Sequence, residues 1–261
     1  MPLHDRVASK TTLMASFGEV NPTNDYPRRE PLRTQLVIAG PTCIGKTSYV
    51  LELTKLYPFE IVNVDSFQIY SHFRIGTGRA DMMFERSHLY GFRNPHEVLG
   101  PSEYIQLVKA ALQGIRTRNN FPLFEGGSIT YLKALADHYA LTIIGLKSFS
   151  GDWSKRMIID RIRSYNEEDL IDEIRAGLDL GFRNTRVMQD DVIYLPYVEY
   201  CEGKVSLAAA RERVVKNLVI RHEEQINQYQ GFNVHWFYPT KRFLDEVKPL
   251  VEEVLSHQKD D

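Results

Sequence analysis

The chain is poor in cysteine, with only Cys43 and Cys201, has no apolar run of membrane-spanning length, and carries almost no net charge. Two cysteines far apart supply neither a disulfide framework nor a zinc cluster, which points to a reducing, cytoplasmic setting. Without a run of about twenty apolar residues no transmembrane helix is expected, and no membrane partner. A net charge of −2 over 261 residues offers no general attraction for a long polyanion, so nucleic acid is not expected as a partner. Internal repeats and low-complexity tracts are missing as well. The remaining composition, 43% hydrophobic and 11% aromatic, is that of a globular protein able to build one large α/β domain with a small helical companion.

The run Gly40-Pro41-Thr42-Cys43-Ile44-Gly45-Lys46-Thr47 fits Gly-x4-Gly-Lys-[Ser/Thr] and follows the apolar stretch Gln35–Ala39. A strand entering a phosphate loop is the reading, and a diphosphate-bearing ligand follows from it. Gly40 and Gly45 let the backbone curl so that successive N–H groups, that of Cys43 included, face one anion. Lys46 adds a point charge, and Thr47 opens a helix while offering its hydroxyl to Mg²⁺.

Beyond the loop, strand and helix signals alternate. Helical spacing runs from Ser48 to Leu56, a β-branched strand from Ile61 to Val64 ends at Asp65, and a helix starts at Pro101-Ser102. Phe121–Glu125 reads as a strand entering Gly126-Gly127-Ser128 and another helix, and Leu141–Leu146 as a further strand. The expected fold class is α/β: a phosphate-loop NTPase-like, mostly parallel sheet flanked by helices, with a smaller C-terminal helical cap. Residues 1–34 read as a flexible leader, 35–150 as the α/β core, and 151–230 as the cap, with helices near 153–164, 167–179, 190–201 and 206–229. Residues 231–261 read as a returning strand (Asn233–Phe237) and a final helix from Arg242. Asp65, at the carboxyl edge of the second strand, is placed to orient a metal through water, to accept a proton from a nucleophile, or simply to cap a turn. Arg74, Thr77, Gly78 and Arg79 lie in a loop able to reach phosphate or ribose oxygens.

Taken in order, the phosphate loop, Val64-Asp65-Ser66-Phe67-Gln68-Ile69-Tyr70, Ile75-Gly76-Thr77-Gly78-Arg79, Glu125-Gly126-Gly127-Ser128 and Glu202-Gly203-Lys204-Val205-Ser206-Leu207 resemble the isopentenyltransferase family. The closest resemblance is to the small adenylate dimethylallyltransferases of cytokinin biosynthesis, relatives of the tRNA dimethylallyltransferases. The resemblance implies transfer of a dimethylallyl group from dimethylallyl diphosphate to the exocyclic amine of adenine, with Mg²⁺. Asp65 matches the general base and Thr42 a loop residue beside the reacting carbon, with Lys46 the third catalytic candidate. Arg161 and His222 match residues that reach the diphosphate from the cap. Ser66, Thr77, Gly78 and Arg79 join Asp65 on the acceptor side. The tRNA enzymes carry a helical insertion between the fourth strand and the cap that is missing here, so a free adenylate (AMP, ADP or ATP) is the expected acceptor. Departures fall on the acceptor side: Glu223 and Glu224 stand where the family is commonly basic, and Val192-Ile193-Tyr194 where the tRNA enzymes have Ile-Gly-Tyr. Another small amine or guanidine acceptor, tRNA, and a small-molecule kinase activity are the alternatives. A nucleotide-sensing module would not need Asp65.

Overall fold

The computed structural model describes residues 33–79 and 86–259. The sequence from Thr34 alternates strand and helix: β1 (Thr34–Ala39), α1 (Lys46–Leu56), β2 (Phe59–Asn63), β3 (Ser87–His88), α2 (Pro101–Thr117), β4 (Phe121–Glu125), α3 (Ile129–Ala136) and β5 (Ala140–Leu146). The cap follows as α4 (Gly151–Arg163), α5 (Glu167–Asp179), α6 (Arg186–Asp190), α7 (Tyr194–Cys201) and α8 (Leu207–Gln228), before β6 (Val234–Phe237) and α9 (Phe243–Lys259) close the order. The leader proposed for residues 1–34 lies outside the described residues except for its last two.

Six strands form one sheet in the order β3-β2-β4-β1-β5-β6, and every pairing is parallel. Leu36, Val37, Ile38 and Ala39 are fully buried because β1 sits between β4 and β5 with helices over both faces, which is why this strand reads as a continuous apolar run. Alternation sorts the side chains by face. Leu36 and Ile38 join Val50 of α1 and Phe243 and Val251 of α9 in one core. Val37 and Ala39 join Val108 of α2, Leu132 of α3 and the cap residues Ile158, Leu170, Val214 and Leu218 in the other. The cap therefore shares a core with the sheet, and the segments 35–150 and 151–230 are interlocked through it.

Two details depart from the expected elements. The helix expected over 190–201 is two helices, because Asp191 has an extended backbone and its Oδ1 accepts the N–H groups of Ile193 and Tyr194 at 2.8 and 3.1 Å, ending α6 and starting α7. The two-residue strand β3 carries no sequence signal of its own. It pairs with β2 and is held there by Glu60, which is 2% exposed and receives Arg118 through Nε and Nη2 at 2.7 Å each and Asn120 Nδ2 at 2.7 Å, with His88 Nε2 also 2.7 Å away.

The Arg118 hydrogen bonds, aided by Asn120 and His88, hold the Glu60 carboxyl down to about 2. A folded-state value below that of the unfolded chain gives stability that is complete above about pH 5 and is lost as pH falls towards 2. Glu60→Gln should lower the urea midpoint at neutral pH and flatten the acid limb of the stability curve. Superimposable acid limbs for the two proteins would show that the network contributes nothing.

Candidate active site

The site lies at the carboxyl edge of the parallel sheet, where ligands of open α/β folds bind. At the end of β1 the chain turns at Gly40, whose φ is +140° and where a side chain would meet the Leu146 carbonyl oxygen at 2.6 Å, so only glycine fits. Cys43 takes a left-handed φ of +62°, and Gly45 precedes the first turn of α1, which carries Lys46 and Thr47. The N-terminus of α1 is thereby aimed at an anion position. Burial raises the Cys43 thiol, which makes it wall rather than nucleophile.

Helix α8 grips this loop from behind. The Tyr229 hydroxyl, just past its end, accepts the Gly40 N–H at 2.9 Å, Gln225 Oε1 accepts the Thr42 N–H at 2.8 Å, and His222 Nδ1 donates to the Thr42 carbonyl at 2.8 Å. His222 is 1% exposed and burial lowers its pKa, so its ring is neutral. It supports the loop and is not part of the cavity wall, unlike the diphosphate contact expected of it.

Lys46 Nζ donates to the Gly40 and Pro41 carbonyls at 3.0 and 2.9 Å. Burial lowers its pKa, opposed by the carboxylates of Glu125 and Asp65. Glu125, at the end of β4, is 2% exposed and accepts the Tyr90 hydroxyl at 2.8 Å and Thr47 Oγ1 at 3.3 Å, and burial raises its pKa against the pull of Lys46. Thr47, Glu125 and Asp65 are hard oxygen donors of the kind Mg²⁺ takes. Among the described residues no group of three His, Cys, Asp or Glu side chains could hold a metal alone, so phosphate oxygens of a ligand would have to complete the shell.

Asp65 follows β2. Its Oδ1 accepts the N–H groups of Phe67 and Gln68 at 2.8 and 3.2 Å, and its own N–H donates to Asn63 Oδ1 at 2.8 Å. One carboxylate oxygen thus ties down the turn while Oδ2 stays without a hydrogen bond. The loop 74–79 is fixed by Glu173, which accepts the N–H groups of Arg74 and Ile75 at 2.8 and 3.1 Å, and by Tyr194, whose hydroxyl accepts the Gly76 N–H at 3.0 Å. Gly78, with φ +71°, lies beneath Arg161, since a Cβ there would come within 1.7 Å of Nη2. Arg161 itself comes from α4, and its Nε donates to the Tyr165 hydroxyl at 2.6 Å.

Two adjoining cavities, of about 130 and 60 Å³, result. The first is walled by Cys43, Gly45, Lys46, Thr47, Gly78, Glu125 and Arg161, and the second by Phe67, Asp190, Asp191, Leu218 and Arg221. Thr42, Asp65, Gly76, Thr77, Ile193 and Gln225 border both. Of the residues singled out from sequence, Gly40, Ser66, Arg74, Arg79 and His222 lie outside both walls. The Arg79 guanidinium turns inward to the carbonyls of Tyr70 and Ser71 at 2.6 and 3.3 Å, and Ser66 Oγ meets Arg186 Nη2 at 3.5 Å. Glu125, Gln225 and Asp191 received no role from sequence, and Arg221 only that of a substitute for the basic residues replaced by Glu223 and Glu224. An aspartate before an apolar helix start was the one available signal for Asp191.

Residues 34–147 match the family model described as isopentenyl transferase. A tRNA dimethylallyltransferase of Dehalococcoides mccartyi is 38% identical over 114 residues, 42% of this chain and 35% of that protein. One of Thermodesulfovibrio yellowstonii is 30% identical over 153 residues, 55% of this chain and 47% of that protein. The chain thus spans between about a third and a half of the length of these curated relatives. Their names run against the expectation that nucleic acid is no partner. Among solved structures, the tRNA isopentenylpyrophosphate transferases of Staphylococcus epidermidis (TM-score 0.76, 18% identity, 86% of this chain and 100% of that one) and Bacillus halodurans (0.75, 21%, 87% and 98%) share the fold. Strands β1 to β5, with the phosphate loop and Asp65, are the part of the chain that matches the isopentenyl transferase model, and its likeness to isopentenyltransferases rests on that part.

Proposed function

We propose that the protein is a prenyltransferase that moves a dimethylallyl group from dimethylallyl diphosphate to a nitrogen nucleophile. The observation that carries this reading is the meeting of two cavities at Thr42 and Asp65, one walled by Lys46, Arg161 and the buried Glu125, the other by Asp190, Asp191 and Arg221. The diphosphate would occupy the first cavity, against the N-terminus of α1, with Lys46 turned to it from the loop carbonyls and Arg161 closing from the cap. As the allylic carbon–oxygen bond breaks, negative charge grows on the leaving diphosphate, where Lys46 and Arg161 stabilise it. Mg²⁺, held by Thr47 and Glu125 with phosphate oxygens, would supply further neutralisation there. The nucleophile would approach from the second cavity, and Asp65 Oδ2 would take its proton as the new carbon–nitrogen bond forms.

For the acceptor, the family resemblance points to the exocyclic amine of adenine. A free nucleotide (AMP, ADP or ATP) is favoured by the link of four residues between β5 and α4, which leaves no room for an inserted domain, and by the net charge of −2. tRNA is favoured by the names of the relatives. Incubation with dimethylallyl diphosphate, Mg²⁺ and either AMP, ATP or tRNA, followed by mass spectrometry, separates them. Phosphate transfer from ATP without prenylation of any acceptor would replace the prenyltransferase reading by a kinase.

Asp65→Asn keeps the Oδ1 acceptor of the turn, so the loop should stay folded while turnover falls about a hundredfold or more and donor affinity is retained. Turnover at the wild-type level would remove Asp65 from the base role. Lys46→Ala should instead weaken donor binding, read by calorimetry, together with the chemical step. Full activity in that variant would mean the leaving group sits elsewhere.

A further inference from the structure

The wall of the second cavity contains three aspartates, Asp65, Asp190 and Asp191, against one cation, Arg221. Asp190 is exposed and lies 3.8 Å from Arg186 Nε on its own helix. The other two are built alike. Each places one oxygen on two backbone N–H groups, Asp65 on Phe67 and Gln68 and Asp191 on Ile193 and Tyr194, and in each no hydrogen bond reaches Oδ2. Asp191 is 9% exposed, and burial pushes its carboxyl up to about 6, with the negative field of Asp65 adding to the rise and Arg221 opposing it. Arg186 pairs with Asp190, whereas Asp65 and Asp191 form no salt bridge among the described residues, and neither does Arg221.

Two carboxylates on one cavity wall, each with an oxygen left free for a ligand, are best matched by a ligand that supplies the counter-charge. A neutral adenine amine needs one base and makes no use of a second carboxylate. The phosphate of an adenylate would lie in a wall that repels it. A planar cation with several N–H donors satisfies both oxygens at once and finds an aromatic surface in Phe67, a ring over which Arg186 already places a guanidinium at 4.9 Å.

We propose that Asp191 is the acceptor-specificity residue and that the acceptor is a small guanidinium- or amidinium-bearing molecule, its anionic end, if present, taken by Arg221. The inference rests on the prenyl-transfer reading and changes only its acceptor. One nitrogen of the cation attacks the allylic carbon, the carbon–oxygen bond breaks with its electron pair leaving on the diphosphate, and the nitrogen's proton passes to Asp65. Asp191 keeps the positive charge on the remaining nitrogens.

The test pairs dimethylallyl diphosphate and Mg²⁺ with agmatine, arginine, AMP or tRNA and looks for a dimethylallyl group on each by mass. Prenylated agmatine or arginine is expected, arginine the better if Arg221 holds its carboxylate. Prenylation of AMP or tRNA and of neither guanidine overturns the acceptor assignment and leaves prenyl transfer standing. If no probe is modified the assignment also falls, and calorimetry with dimethylallyl diphosphate tells whether the donor site falls with it. Asp191→Asn preserves the Oδ1 cap of α7 and should cut kcat/KM for the guanidine by roughly thirtyfold or more, mainly through KM, with donor affinity unchanged. An unaltered kcat/KM in that variant would also refute the assignment.

Discussion

The peptide of Thr42 is held at both ends by one helix: Gln225 takes its N–H and His222 donates to its carbonyl. Phosphate loops bind through backbone groups, so their geometry is only as good as whatever fixes the backbone. Here the fixing comes from α8, nearly 180 residues later in the chain, and Tyr229 extends the grip to Gly40. The same helix carries Arg221 and Leu218 into the neighbouring cavity. A displacement of α8 would therefore disturb the glycine-cornered loop and the wall of the second cavity together. Both depend on the shared core in which Leu218 and Val214 pack with residues of the central strands.

Charge is partitioned across the junction. Lys46 and Arg161 wall the first cavity, Asp191 walls the second, and Asp65 stands between them. Lys46 is buried with Glu125 and Asp65 close enough to oppose its loss of charge, and without a ligand its ammonium rests on two loop carbonyls. A buried cation satisfied by weak acceptors is easily transferred to a stronger anion, because the desolvation has already been met by folding. Glu125, in the wall of the first cavity, receives Thr47 on one oxygen and Tyr90 on the other.

Much of the architecture was legible in the chain because local physics dictates it. The apolar run of β1, the glycine-cornered loop, the Pro101 helix start and the Ser128 cap, whose side chain accepts the Tyr131 N–H, each announce an element through nearest neighbours. β3 was invisible, since two residues have no periodicity and are strand only because Glu60 and β2 hold them. The break at Asp191 was hidden because Val187 and Met188 before it and Val192 and Ile193 after it keep a helical apolar spacing. Arg79 looked like a ligand residue by its place after Gly78, yet its guanidinium donates to the Tyr70 and Ser71 carbonyls, a contact that no local signal announces.

The sequence by itself determined the parallel α/β sheet, the position of the anion cradle and the carboxylate at the edge of β2, since each follows from residues within one turn or one strand. Only the tertiary structure decided that His222 supports the loop from outside, that Glu125 stands opposite Thr47, and that Asp191 and Arg221 wall a second cavity beside Asp65. Those relations join residues up to 180 positions apart in sequence. Their distances are set by helix packing over a common core, and no spacing in a linear chain encodes that.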